Sequence, residues 1–223
     1  MACEGGSMKI LKLSMVFKNE FHTTGETKGS LIDFLKDSND IPYIPATHIK
    51  GIMRTEAERI LRSVENIPCF ITGNPENAMK VTLCDEVKNG GFRCDVCRIF
   101  GVPNTDGGVD YREGKVRITD FRTDEVVGAV SRMHVSIDRG TQTKSNSALF
   151  NMLSVPSKTS FTGHIIVRDT LTDTENELLY ASIHSMAHYG IGKDRSRGLG
   201  GIDTVDGFSI LEISQDEFLK VKQ

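Results

Sequence analysis

Between Lys9 and His22 apolar and polar side chains alternate, with Leu11, Leu13, Met15 and Phe17 on one face. Successive side chains of a strand point to opposite faces, so this period of two predicts a half-buried strand over Lys9–His22. Thr23–Tyr43 breaks the pattern with two glycines and several acids, and reads as a polar loop. The period then changes: Ile49, Ile52, Met53, Ala57, Ile60, Leu61 and Val64 recur at helical spacing and form one apolar stripe. Pro45 and Thr47 stand at the start of that helix, Thr47 as a candidate N-cap. Strand patterns return at Gly114–Arg122 and Thr159–Asp169. Leu178, Leu179, Ile183, Met186 and Ala187 mark a second helix over Thr174–Tyr189, and Ile202–Ile213 supplies a last strand.

The order strand, helix, strand, strand, helix, strand is the βαββαβ pattern of an α+β, ferredoxin-like or RRM-like core. Two segments interrupt it. One, at about 66–104, carries cysteines and no long periodic pattern; the other, at 131–158, is polar and basic. Residues 9–223 thus read as a single domain with two insertions, and residues 1–8 as an expression remnant, which sets Cys3 aside. Such a core hosts many functions, so the fold assigns none.

Charge narrows the possibilities. A formal net charge of -3 over 223 residues excludes a uniformly basic nucleic-acid binder, so a polyanion site must be a local patch. The segment Tyr189–Gly201 is one such patch: Gly190, Gly192, Gly198, Gly200 and Gly201 are interleaved with Lys193, Arg195 and Arg197. Glycine lets backbone N–H groups approach a ligand closely, and neighbouring cations suit a string of phosphates. The alternative is a Gly-rich surface loop without a ligand. On the first helix Lys50, Arg54, Glu58 and Arg62 stand four apart, placing two cations together in its first turns. No apolar run is long enough for a membrane helix and no secretory pattern is present, so a cytoplasmic protein without a membrane partner is expected.

Cys94-x2-Cys97 follows Cys84 at a spacing of nine intervening residues. Such a knuckle presents two thiolates to one tetrahedral Zn²⁺; Cys84 and, as fourth ligand, Cys69 complete a structural site, with His22 or His48 as substitutes for the fourth. Reduced, partly buried cysteines and a redox pair are the competing readings. Asp33, Asp37 and Asp40 lie in the polar loop, where carboxylates hold a divalent metal, transfer protons, or only solvate the loop. The six histidines form no metalloenzyme pattern, and no Ser-His-Asp order or P-loop signature is present.

Four segments together resemble the RAMP superfamily of CRISPR-associated proteins, and within it the Csm/Cmr-type backbone subunits of type III effector complexes. They are Ile44–Arg54 (IPATHIKGIMR), Cys94–Gly101 (CDVCRIFG), Val135–Arg139 leading to Ala148–Phe150, and Gly190–Gly201. The resemblance implies a modified RRM that binds guide RNA (crRNA) through Lys50, Arg54, Lys193, Arg195 and Arg197. It implies a thumb-like β-hairpin at 131–158, where Arg132 and Arg139 contact backbone and Met133 or Phe150 wedges against bases. It implies target-RNA cleavage at Asp33, with Mg²⁺ or Mn²⁺ and attack by the 2′-OH on the adjacent phosphate. It also supports structural Zn²⁺ on Cys69, Cys84, Cys94 and Cys97. The implied partners are crRNA, target RNA, the other subunits of the complex, and further copies of the chain along a filament. A noncatalytic structural subunit, a stand-alone crRNA-processing endoribonuclease and a small-molecule enzyme on the same fold are the alternatives. The chain has no Trp and 7% aromatic residues, which suits a sequence-independent grip on RNA backbone more than base reading by sheet aromatics.

Overall fold

The computed structural model describes residues 8–64, 94–101, 113–137, 140 and 144–220. The chain runs β1 (Lys9–Val16), β2 (Thr24–Lys28), β3 (Leu31–Phe34), β4 (Tyr43–Ile44), α1 (Ala46–Val64), α2 (Asp95–Phe100), β5 (Val116–Ile118), β6 (Phe121–Arg122), β7 (Val130–Ile137), β8 (Lys144–Ser154), β9 (Ser160–Val167), α3 (Asp173–Tyr189), β10 (Phe208–Ile213) and α4 (Gln215–Lys220). One sheet has the order β10-β1-β9-β6-β4, and β5 also pairs β9. Its ladders are antiparallel. Counting β5 and β6 as one broken strand, this is the four-strand ferredoxin-like core, with the first strand central and the last at its side.

The alternation that marks β1 becomes the core. Leu11, Leu13, Met15 and Phe17 are fully buried and meet Phe161, Ile165 and Phe121 from the neighbouring strands. Helices α1 and α3 cover this face through Ile49, Met53 and Ala57 and through Leu179, Ile183 and Met186. Each of these Leu, Ile, Met and Phe side chains contributes roughly 1.5–3 kcal/mol by leaving water. Helix α3 begins at a capping box, in which Thr172 Oγ1 accepts from Glu175 N–H and the Glu175 carboxylate accepts from Thr172 N–H.

Several sequence expectations change. The first strand stops at Val16. Phe17 and Phe21 form isolated bridges and both Phe21 and His22 are buried, so the period of two ends in a turn. The polar loop Thr23–Tyr43 holds three short strands, and Asp33 lies on β3. These strands owe little to their own periodicity: β3 is held by antiparallel pairing with β2 and parallel pairing with β8. Helix α1 begins at Ala46 rather than after Thr47; the Ala46 N–H is taken by the Asp120 carboxylate at 2.9 Å, a cap from 74 residues away. Within the cysteine segment, α2 belongs to the core, burying Val96, Cys97, Ile99 and Phe100 against α1 and α3. β7 and β8 pair as antiparallel neighbours and join β3 and β2 in a second, four-stranded sheet.

The segment Phe17–His22 ties these parts together. It exchanges two hydrogen bonds between Phe21 and Val155 at the end of β8, and its Phe17 and Phe21 rings stack at 4.4 Å. Its carbonyls at Glu20 and His22 accept the N–H groups of Gly200 and Lys193. The glycine segment therefore folds down onto this turn. Gly200 has φ 70°, and a Cβ there would run into the Ile191 carbonyl oxygen. Gly192, at φ 97°, would place a Cβ 2.5 Å from the His22 oxygen. These glycines serve internal packing as well as any ligand.

Two stability measurements follow. Gly200→Ala should lose more than about 2 kcal/mol in urea unfolding, since left-handed backbone alone costs an L-residue about 1–2 kcal/mol. Gly51→Ala, in the middle of α1 with nothing within 4 Å of its Cβ position, should gain about 0.5–1 kcal/mol. The second concerns pH. Burial is the largest cause that lowers His22, His48 and His164 below the ordinary 6.5. Between the folded and unfolded values the unfolded chain binds more protons, so stability falls as pH drops through about 6.5 and is unaffected above it. The urea midpoint should be lower at pH 5.5 than at pH 7.5, and His22→Asn should flatten part of that difference.

Candidate nucleic-acid interface

A groove runs between α1 and the glycine segment. Its first part, about 300 Å³, is lined by Thr47, His48, Gly51, Ile52, Thr55, Glu56 and Arg195. Its second part, about 560 Å³, is lined by Arg59, Tyr189, Gly192, Asp194, Arg195 and Ser196. Arg195 lines both, so the two parts lie side by side. The lining positions of α1 recur at three- and four-residue intervals and form a single helix face. Gly51 leaves that face without a side chain at its middle, which keeps the groove open.

The loop that forms the other wall is rigidly placed. After α3 ends at Gly190, Ile191 N–H bonds Gly200 O at 2.9 Å, closing the segment into a ring. Asp194 takes left-handed backbone at φ 58° and starts a single 3-10 turn over Arg195–Arg197. Lys193, Arg195 and Arg197 are all exposed. Arg195 donates to the Gly190 carbonyl at 3.3 Å, and Arg197 lies 3.5 Å from Asp194. The buried Glu56 carboxylate accepts from Arg59 at 3.0 Å and from Ser185 at 2.8 Å, locking α1 to α3 beneath the groove. Burial, and then the Arg195 charge, lower the His48 pKa, and its Nε2 has no hydrogen-bond partner among the described residues.

The other expected contact residues are placed differently. Arg54 faces inward: it donates to Glu58 at 3.0 Å and to the Gly101 carbonyl at 2.6 Å, and its Nη2 lies 3.5 Å from Cys97 Sγ. Its side chain is 11% exposed, so it ties α1 to α2 and does not line the groove. Lys50 is on the same side, half-buried; burial first, and then the Arg54 charge, lower its pKa. Arg132 on β7 is held by both carboxylate oxygens of Glu20, at 2.6 and 3.0 Å, and this pair raises its pKa. Met133 is exposed, whereas Phe150 is half-buried and stacks on His134 at 5.0 Å. Arg139 lies outside the described residues.

Asp33 accepts from Phe34 N–H at 2.8 Å and from Lys36 Nζ at 2.9 Å. Asp37 is a turn residue, accepting from the Asn39 and Ile41 N–H groups and from Arg122; the two backbone bonds are the main reason its pKa is lowered. Among the described residues no three His, Cys, Asp or Glu side chains converge as a metal site. The acids around Asp33 therefore do not by themselves build a magnesium cage. Cys94 and Cys97 stand one turn apart at the start of α2, as two ligands of one zinc require. Cys69 and Cys84 lie outside the described residues. No helix among the described residues is long and apolar enough to cross a membrane.

Sequence reading missed Arg59, Tyr189 and the Thr47–Thr55 face of α1. A glycine in the middle of a helix was the available signal, because Gly51 weakens α1 and has no packing partner to explain it.

The fold has counterparts among solved structures. A chain of a type III-B Cmr-β complex, determined by cryo-electron microscopy bound to cognate target RNA, superposes with a TM-score of 0.57 at 16% identity. That match covers 92% of this chain and 61% of the other, so the present chain spans about three fifths of its counterpart's length. A chain of a type IV-B CRISPR complex gives a TM-score of 0.61 at 11% identity, covering 91% of this chain and 90% of that one. At such identities the likeness is one of fold. No curated protein sequence matches. The RAMP superfamily model matches residues 14–203, a span that takes in the end of β1, α1, α2, α3 and the glycine segment, and the chain therefore belongs to the RAMP superfamily.

Proposed function

We propose that the chain is a guide-RNA-binding backbone subunit of a type III CRISPR RNA-targeting complex. The observation that carries this reading is the groove, where Arg59 from α1 and Arg195 from the glycine segment line one cavity, with Lys193 and Arg197 exposed on the loop either side of Arg195. A chain of net charge -3 that gathers exposed cations along one groove is suited to a linear polyanion. Family membership and the fold shared with subunits of CRISPR complexes favour RNA over other polyanions. Further copies of this chain and other subunits would continue the groove along a guide. Zinc on Cys94, Cys97 and ligands from the rest of the cysteine segment would hold that segment in shape.

Target cleavage belongs to the same reading, with Asp33 as its residue. Asp33 sits on β3, beside the β7–β8 hairpin, through parallel pairing of Leu31 with Asn151 and Ile32 with Met152. Its carboxylate would take the proton of a ribose 2′-OH as that oxygen attacks the adjacent phosphorus. The P–O5′ bond then breaks and the leaving oxygen takes a proton from water, leaving a 2′,3′-cyclic phosphate and a 5′-hydroxyl. Lys36, 2.9 Å away, would offset charge on the phosphate.

RNA binding is tested by fluorescence anisotropy with a single-stranded RNA across a salt series. The logarithm of the affinity should fall linearly with the logarithm of salt, and Arg195→Ala with Arg197→Ala should lower the slope by about 1.4, or ~0.7 per phosphate contact. Binding that ignores salt, or an unchanged slope in the double variant, would overturn the assignment of the groove. Cleavage is tested in the reconstituted complex with a complementary target and magnesium. Asp33→Asn should slow cutting by roughly 10²–10⁴-fold with guide binding intact. Cutting at the wild-type rate would leave a noncatalytic subunit; specific cutting of repeat RNA by the lone chain in chelator would point to a processing nuclease.

A further inference from the structure

Tyr189 is the only aromatic among the large apolar side chains exposed in the described residues, at 56% exposure. By contrast Phe17, Phe21, Phe34, Phe100, Phe121 and Phe161 are buried in the core. A Tyr ring carries a large apolar surface, and a folding chain covers such a surface when a cover is available. Tyr189 ends α3 more than half exposed, in T-shaped contact with the His188 ring at 5.3 Å, and it lines the larger part of the groove. The Arg59 guanidinium lies 5.7 Å from its ring centroid. That guanidinium is in turn aimed by Glu56, whose carboxylate is buried and holds Arg59 Nη1 through both oxygens, at 3.0 and 3.2 Å. The result is two adjacent planar π surfaces, one fixed by a helix end and one by a buried acid, in the wall of a cavity of about 560 Å³. Cavities of that size accept a small planar ligand with its sugar. Arg195 and Ser196 line the same cavity, so a cation and a hydroxyl share it with the stacking surfaces.

We infer that Tyr189 and Arg59 form a stacking platform for one unpaired base of single-stranded RNA, while Arg195 and its neighbours hold the flanking phosphates. This inference rests on the RNA reading of the groove and adds to it a contact that is not to the backbone. Stacking on Tyr and on guanidinium is tolerant of base identity, because every base presents a π face. The platform therefore selects unpaired strands over duplex without reading sequence. It also gives the groove a register, since a base lodged here would fix which phosphates meet Arg195 and Arg197.

The test separates stacking from charge. Single-stranded RNA carrying one 2-aminopurine is titrated with the full chain, and affinity is measured across a salt series. Tyr189→Ala should weaken binding on the order of tenfold, as loss of one base–aromatic stack does. Its salt slope should equal that of the wild type, because no phosphate contact is lost. Tyr189→Phe should bind as the wild type does, and the 2-aminopurine emission change on binding should persist in it and vanish in Tyr189→Ala. Tyr189 is exposed, so an unchanged melting temperature will show that the Ala variant folds. Binding by Tyr189→Ala within twofold of wild type, or a loss shared equally by Tyr189→Phe, would overturn the platform and leave the groove reading standing. A loss with a reduced salt slope would likewise overturn it, by showing a backbone contact instead. A wild-type chain that binds no RNA would overturn the groove reading and the platform with it.

Discussion

The structure depends on the clasp between the Phe17–His22 turn and the glycine segment. Lys18 N–H bonds Gly201 O, Gly200 N–H bonds Glu20 O, and Lys193 N–H bonds His22 O, at 2.7–2.9 Å. The same turn receives the end of β8 through Phe21 and the side chain of Arg132 through Glu20. Three distant stretches of chain therefore meet on six residues, and a shift there would move the loop, the hairpin and the central strand together. Buried backbone groups must find partners, and here they find them in each other; the approach to His22 leaves no room for a side chain at Gly192, and the Ile191–Gly200 bond within the segment leaves none at Gly200.

The clasp determines the chemistry available at the surface. A loop held at both ends presents Lys193, Arg195 and Arg197 at a constant distance from α1, so little ordering entropy remains to be lost when a polyanion arrives. The opposite wall is equally constrained, because Glu56 fixes Arg59 and bonds Ser185 on α3. Pre-ordered cations on both sides of a groove are what a sequence-independent RNA grip needs. The second sheet is a separate device: it brings Asp33 on β3 beside β8 and β7, away from the groove walls formed by α1 and the glycine segment.

Arg54 and Arg59 illustrate how much of the site was legible. Both are cations of the same helix, five residues apart, and the spacing of charges picked out Arg54. Its guanidinium instead joins α1 to the Gly101 carbonyl and approaches Cys97, while Arg59 takes the groove. The difference is a matter of helix phase and of where α2 docks, and α2 follows α1 by some thirty residues of chain. Likewise β2 and β3 were read as loop, since their pairing energy comes from each other and from β8, and a polar stretch without alternation carries no record of its partners.

What the sequence by itself determined is the order of elements, the buried face of β1, the two helices and the identity of the glycine segment. Those rest on local periodicity and on residues whose backbone freedom no other side chain supplies, so they can be read without knowing the neighbours. Only the tertiary structure decided which charges are available. A cation is open to a ligand or engaged by the fold according to the carboxylate or carbonyl partner it meets and how much of it that partner leaves exposed: Arg59 stays 60% exposed on Glu56, Arg54 only 11%. For Arg54 and Arg132 that partner was supplied by contacts in space, and for Lys193, Arg195 and Arg197 the clasp held the loop so that they face solvent.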